Sequence, residues 1–240
     1  MIIVIGTRYY GDPLRQIDNV VPLTSSKKRI LRDPSKISLV LFTGGADVHP
    51  SFYKGIDASN VCGTNIERDV FEKKIFEYCR RHNIKMTGIC RGFQFLNVMA
   101  GGFMYQHIKG HTGAFHNTYF PYNSTVLEVT STHHQLVGLP SGSAPIAWAH
   151  PSRSGFYIGP LGKRVKPPGY EAEAAVFPNI NAMGVQYHPE MLKAGNPCRT
   201  HYTSMISDFV RMNMNEFANK YGRRTVYDRN REAGHTRRED

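Results

Sequence analysis

No run in this 240-residue chain approaches the roughly 18 consecutive apolar residues that a membrane-spanning helix needs, so no membrane partner is expected. The first residues, Met-Ile-Ile-Val-Ile-Gly-Thr, open directly with a strand pattern. They lack a basic segment followed by an apolar stretch and a small-residue cleavage site, and a cytoplasmic location is the expectation. Cysteine is scarce: Cys62, Cys79, Cys90 and Cys198 stand apart, with no C-x-x-C pair. That spacing argues against a zinc knuckle and against a disulfide framework. No phosphate-cradling P-loop is present, so nucleotide hydrolysis is not expected of this chain, and no cofactor is called for. Internal repeats are absent as well.

What is present is ordinary for a globular protein, with 40% hydrophobic and 20% charged residues. The length suits one large domain, here residues 1–220, followed by an Arg-rich polar segment, 221–240, that reads as a flexible tail. The net charge of +11 sits mostly in the body. Lys27, Lys28, Arg29, Arg32 and Lys36 cluster in one stretch, and Arg153, Lys163, Arg164 and Lys166 in another. Such clusters read as solvated surface, or as contacts for an acidic partner, an anionic substrate or nucleic acid.

The chain is organised around residues 84–98, Ile-Lys-Met-Thr-Gly-Ile-Cys-Arg-Gly-Phe-Gln-Phe-Leu-Asn-Val. A short buried strand leads into Gly88-Ile89-Cys90-Arg91-Gly92, and a helix follows. This is a G-x-C-x-G form of the nucleophile elbow, in which a sharp turn sets the central residue at a helix N-terminus. There the helix dipole and the free N–H groups favour a thiolate. Taken alone, Cys90 reads equally well as a core cysteine. Further on, Val185-Gln186-Tyr187-His188-Pro189-Glu190 ends a strand with a histidine and, two residues later, a carboxylate. A cysteine nucleophile needs an imidazole base, and that imidazole needs a third group to fix its tautomer. Period-two spacing along an extended end would point His188 and Glu190 the same way. Cys90, His188 and Glu190 are therefore the candidate catalytic set.

Strands are expected over residues 1–6, 38–42, 125–130 and 145–150, with 172–177 and 183–187 as a closing hairpin. Residues 7–36 carry turn signals only. Asn65 to His82 reads as a capped helix whose apolar face holds Ile66, Val70, Phe71, Ile75, Phe76 and Cys79. Gly101-Gly102 stops the elbow helix. A last amphipathic helix is expected over 200–220, and 151–170 is a long basic loop of the kind that serves as a lid or specificity element. His107, His111 and His116 suggest a metal, but no acid or cysteine joins them in the sequence and glycines interrupt their spacing; no metal is expected. Thr43-Gly44-Gly45 after a strand implies close backbone approach, either a plain turn or part of an oxyanion hole with the N–H of Arg91.

The elbow G-I-C-R-G-F-Q together with V-Q-Y-H-P-E resembles the class I glutamine amidotransferase superfamily. Thr43 to Tyr53, Glu67 to Glu72, and Ser131-Thr132-His133-His134-Gln135 resemble its γ-glutamyl hydrolase branch, peptidase family C26. The resemblance spans roughly residues 1–210. It implies an α/β fold, a flavodoxin-like three-layer sandwich with a mostly parallel central sheet. It favours the oxyanion-hole reading of Gly45 and Arg91, without deciding which glycine donates. It also implies substrate contacts from Gly44, Gln94, His134 and Gln135. The expected reaction is hydrolysis of a γ-glutamyl amide through a thioester on Cys90, the substrate being a small γ-glutamyl compound. Release of ammonia to a separate synthase chain, and a non-catalytic partner- or polyanion-binding role, are the alternatives. The chain departs from the family pattern at His107, where an acidic residue is usual, and in the insertion 151–170.

Overall fold

The computed structural model describes residues 1–24 and 30–222. Of the expected tail 221–240, Tyr221 is instead helical and buried, while residues 223–240 and the basic residues Lys27, Lys28 and Arg29 lie outside the described residues. A nine-stranded sheet forms the centre. Five strands run parallel: β2 (Val20–Pro22), β1 (Ile2–Ile5), β3 (Leu39–Phe42), β4 (Met86–Ile89) and β13 (Ala182–Val185), in that spatial order. β12 (Ala172–Phe177), β10 (Ala144–Ala149), β7 (Thr112–Phe120) and β8 (Thr125–Thr132) extend the sheet antiparallel beyond β13. The small strands β5 (Phe103–Tyr105), β6 (His107–Ile108), β9 (Leu136–Gly138) and β11 (Tyr157–Ile158) pair apart from it, as β5 with β9 and β6 with β11.

Strand alternation divides the core into two faces. Ile3, Ile5, Val40 and Phe42 join Ile75, Phe76 and Cys79 of helix α1 (Ile66–Arg81) and Phe93, Phe95 and Leu96 of α2 (Arg91–Met99). Ile2, Val4, Leu39 and Leu41 face the other way, toward Tyr202, Met205, Ile206 and Phe209 of α3 (Pro197–Arg211) and Phe217 of α4 (Met214–Tyr221). Burying each such side chain contributes about 1.5–3 kcal/mol. Helices on both faces of a parallel block give the flavodoxin-like three-layer sandwich, with strand ends and elbow at one edge.

Three expectations are corrected. Ile66, Val70 and Phe71 of α1 are exposed, while Asp69 and Glu72 are buried. The inward face carries carboxylates because Arg91 meets them there. The single helix 200–220 is two helices, since Asn213 and Glu216 form a reciprocal capping box that starts α4 afresh. Residues 7–36, read as turns, contribute strand β2 and the 3₁₀ segment Arg8–Leu14, which packs Tyr10 and Leu14 into the core. The insertion 151–170 is also tied down: β11 pairs with β6, and Glu171 accepts from the N–H groups of Arg153 and Ser154 and from the Tyr157 hydroxyl.

Candidate active site

Cys90 stands between β4 and α2 with φ +52° and ψ −109°, a conformation that L residues rarely adopt and that the surrounding structure must hold in place. The flanking glycines make it feasible. A Cβ on Gly92 would collide with the Phe42 carbonyl, and one on Gly88 would overlap the backbone of Gly92. The Cys90 N–H donates to Val185 O at 2.8 Å, which fixes the elbow against β13, the strand that leads to His188.

His188 Nδ1 donates to Glu190 Oε1 at 2.6 Å, and the ring lies close enough to Cys90 to interact with it electrostatically. Burial disfavours its charge, but these two partners prevail and bring its pKa up to about 10. Its own N–H donates to Thr130 Oγ1 at 2.7 Å. His188 and Glu190 meet, although by a different local route from the one the sequence suggests. Pro189–Met191 form a 3₁₀ turn, and that turn, rather than strand alternation, folds Glu190 back onto His188.

A cavity of ≈ 310 Å³ opens at Cys90. Gly45, Arg91, Gln94, His134 and Gln135 all line it. Gly44 does not. It lies beneath the site, where a Cβ would come within 2.5 Å of the Tyr10 hydroxyl and 3.2 Å of His188 Cε1. Gly45 has φ +137°, which favours glycine. Asp47, also on the wall, accepts from His134 Nε2 at 3.1 Å, and this bond raises the His134 pKa. His107 stands 3.4 Å from His134 across their Nδ1 atoms; burial and the neighbouring His134 lower its pKa.

Helix α1 braces both sides of this site. Arg68 donates to the carbonyls of Thr43 and Gly44 at 2.8 and 2.9 Å and to Glu72 Oε1 at 2.7 Å. Asp69 and Glu72 hold the buried guanidinium of Arg91, the residue after the elbow cysteine. Asp69 also accepts from the His49 N–H at 2.8 Å. Arg68 and Asp69 thus serve as scaffold, whereas Glu72, Tyr10 and Asp47 were not singled out from the sequence. Charged residues interrupting the apolar stripe of α1 were the one available signal for Glu72; nothing local marks Tyr10.

The sequence profile of the family described as Peptidase C26 matches residues 16–144, more than half of the chain. The chain belongs to the peptidase C26 family. Among curated relatives of this C26 chain, Protein NtpR of Enterococcus hirae is 25% identical over 183 residues, 74% of this chain and 76% of NtpR. A glutamine amidotransferase-like protein of Rickettsia prowazekii is 38% identical over 77 residues, 32% of this chain and 27% of that protein. The chain thus spans three quarters of one relative and under a third of the other. A solved glutamine amidotransferase of Thermotoga maritima superposes with a TM-score of 0.54 at 16% identity, covering 92% of this chain and 90% of that one. A solved glutamine amidotransferase of Methylobacillus flagellatus gives 0.51 at 12% identity, covering 95% and 97%. These two likenesses establish the fold. Family and fold together make this C26 domain a class I glutamine amidotransferase-type cysteine hydrolase. Among the described residues, no helix is long and apolar enough to cross a membrane.

Proposed function

We propose that this C26 domain hydrolyses a γ-glutamyl amide bond through a thioester on Cys90. The observation that carries the reading is His188, held by Glu190 at 2.6 Å and within electrostatic reach of Cys90, which itself lines the cavity. With Nδ1 engaged by Glu190, Nε2 is the atom that serves Cys90. The Cys90 thiolate attacks the δ-carbonyl carbon, forming a C–S bond and an oxyanion that the N–H groups of Gly45 and Arg91 stabilise; such a donor is worth about 2.7–4 kcal/mol. His188 Nε2 gives its proton to the departing nitrogen as the C–N bond breaks. Water then attacks the thioester, its proton passes to His188, and glutamate leaves as the thiolate returns.

The cavity volume of ≈ 310 Å³ lies at the small end of the roughly 300–1,000 Å³ range of small-molecule sites, which favours a compact γ-glutamyl compound over a polypeptide. Gln94, His134 and Gln135 are the proposed contacts to the γ-glutamyl portion, with Asp47 beside them. Gly44 acts from below by keeping the floor thin. Glutamate release from glutamine and from a panel of γ-glutamyl amines, measured for wild type beside Cys90→Ala, tests the reading. Release that requires Cys90 supports it; equal release by both proteins, or none on any substrate, overturns it. Hydrolysis confined to glutamine and awakened only by a separate synthase chain would select the ammonia-donating alternative.

A further inference from the structure

The sequence offers no acid near His111 and His116, but the fold supplies two from β12 and the residue just before it. Glu173 Oε1 is approached by three imidazole nitrogens: His116 Nε2 at 3.1 Å, His111 Nδ1 at 3.4 Å and His133 Nε2 at 3.5 Å. All four side chains are buried, none more than 4% exposed. His111, His116 and Glu173 each offer a donor atom within 4.8 Å of the others. His107, the remaining histidine of the sequence pattern, turns away to His134 at the cavity.

Hydrogen bonding alone does not account for this convergence. His133 Nδ1 lies 2.9 Å from the Gln135 carbonyl, which can only accept, so Nδ1 carries the proton. Its Nε2 lies 3.5 Å from Glu173 Oε1 with no hydrogen bond between them. His133 Nε2, His111 Nδ1 and Glu173 Oε2 have no hydrogen-bond partner among the described residues. A cation gives such atoms a partner. The donor atoms of His111, His116 and Glu173 lie within 4.8 Å of one another, a span that small side-chain shifts close to the roughly 3.3–3.4 Å between tetrahedral ligands at about 2.0–2.1 Å. Two far ring nitrogens are anchored as metal-bound histidines require, His111 Nε2 on Glu171 Oε2 at 3.1 Å and His133 Nδ1 on Gln135 O, whereas His116 Nδ1 has no hydrogen-bond partner among the described residues.

We propose that His111, His116 and Glu173 form a divalent-metal site, with Zn²⁺ the ion that its two imidazoles and one carboxylate fit best. Borderline nitrogen donors with one oxygen and no thiolate suit Zn²⁺ over the oxygen-seeking Mg²⁺ and Ca²⁺. The ion would tie β7 to β12, with His133 beside it at the wall of the Cys90 cavity. The competing occupant is a proton on His111, between the carboxylates of Glu171 and Glu173.

The test uses the full chain in a Cys90→Ala background, which keeps zinc off the elbow thiol, and without a polyhistidine tag. Elemental analysis is expected to find about one zinc per chain, falling to background in the added double variant His116→Gln, Glu173→Gln. Because that variant could misfold, the chain with all three ligands intact is also stripped with a strong chelator and refilled with Co²⁺. The intense visible bands of a four-coordinate ion are expected, at one equivalent, together with recovery of the Tm lost on stripping. A stripped chain that stays folded, takes up neither Zn²⁺ nor Co²⁺ and keeps its Tm overturns the proposal. So does a faint six-coordinate cobalt spectrum, or a folded double variant that still binds one equivalent.

Discussion

Glu190 Oε1 lies 2.6 Å from His188 Nδ1, held there by a 3₁₀ turn through Pro189. The contact fixes the tautomer that leaves Nε2 for Cys90. Glu190→Gln keeps the shape but reverses the hydrogen-bonding demand on Nδ1. A fall in kcat of about 10²–10⁴-fold is expected, with much less change in KM. A variant with kcat within twofold of wild type would remove Glu190 from the mechanism.

The pH profile follows from His188. Its pKa of about 10, against an ordinary 6.5, means that the protonated imidazole persists through neutral and mildly alkaline pH and is lost as pH rises through about 10. The step that needs it, protonation of the leaving nitrogen, declines in that same window. Steady-state rates are expected to hold from neutral pH upward and fall on an alkaline limb near pH 10. In Glu190→Gln that limb moves toward neutrality.

Thiol labelling separates Cys90 from the other cysteines. Burial pushes the thiols of Cys62, Cys79 and Cys198 up to about 12, which leaves almost no thiolate on them at neutral pH. Brief treatment with iodoacetamide is expected to add one carbamidomethyl group, on Cys90, with loss of activity; peptide mass spectrometry locates it. Preferential modification of any other cysteine contradicts the assignment.

Asp69 and Glu72 hold the buried Arg91 guanidinium beside the elbow. Replacing Glu72 by Gln leaves that charge partly uncompensated. Removing one partner of a buried ion pair costs about 3–5 kcal/mol, readable as a lower urea midpoint. Arg68 loses a partner in the same substitution, so the Gly44–Gly45 loop loosens and kcat also falls.

Gly92 allows the elbow to pass under β3, where a Cβ would meet the Phe42 carbonyl, a backbone group that cannot swing aside. Gly92→Ala is expected to cost at least the roughly 1–3 kcal/mol typical of overpacking. Gly63→Ala, where nothing lies within 4 Å of the added Cβ, is the control expected to leave the Tm near wild type.

What the sequence could reveal was whatever depends on neighbours in the chain. The elbow needs glycines on both sides of Cys90, the α1 cap needs Asn65 before its first turn, and His188 needs a carboxylate within one turn; all are local, and all could be read directly. The expected apolar face of α1 went astray because its inward carboxylates serve Arg91, 19 and 22 residues further along. No pattern inside the helix records that partner.

The histidines show the same division. From the sequence alone, His111 and His116 lack an acid. Folding sets β12 beside β10 and β10 beside β7, and so brings Glu171 and Glu173 to His111 and His116 across some sixty positions of chain. Residue type and spacing determined the sheet, the elbow and the pairing of His188 with Glu190. Which buried charges face one another was decided only by the tertiary structure, because Coulomb attraction and desolvation depend on distance in space and not on separation along the chain.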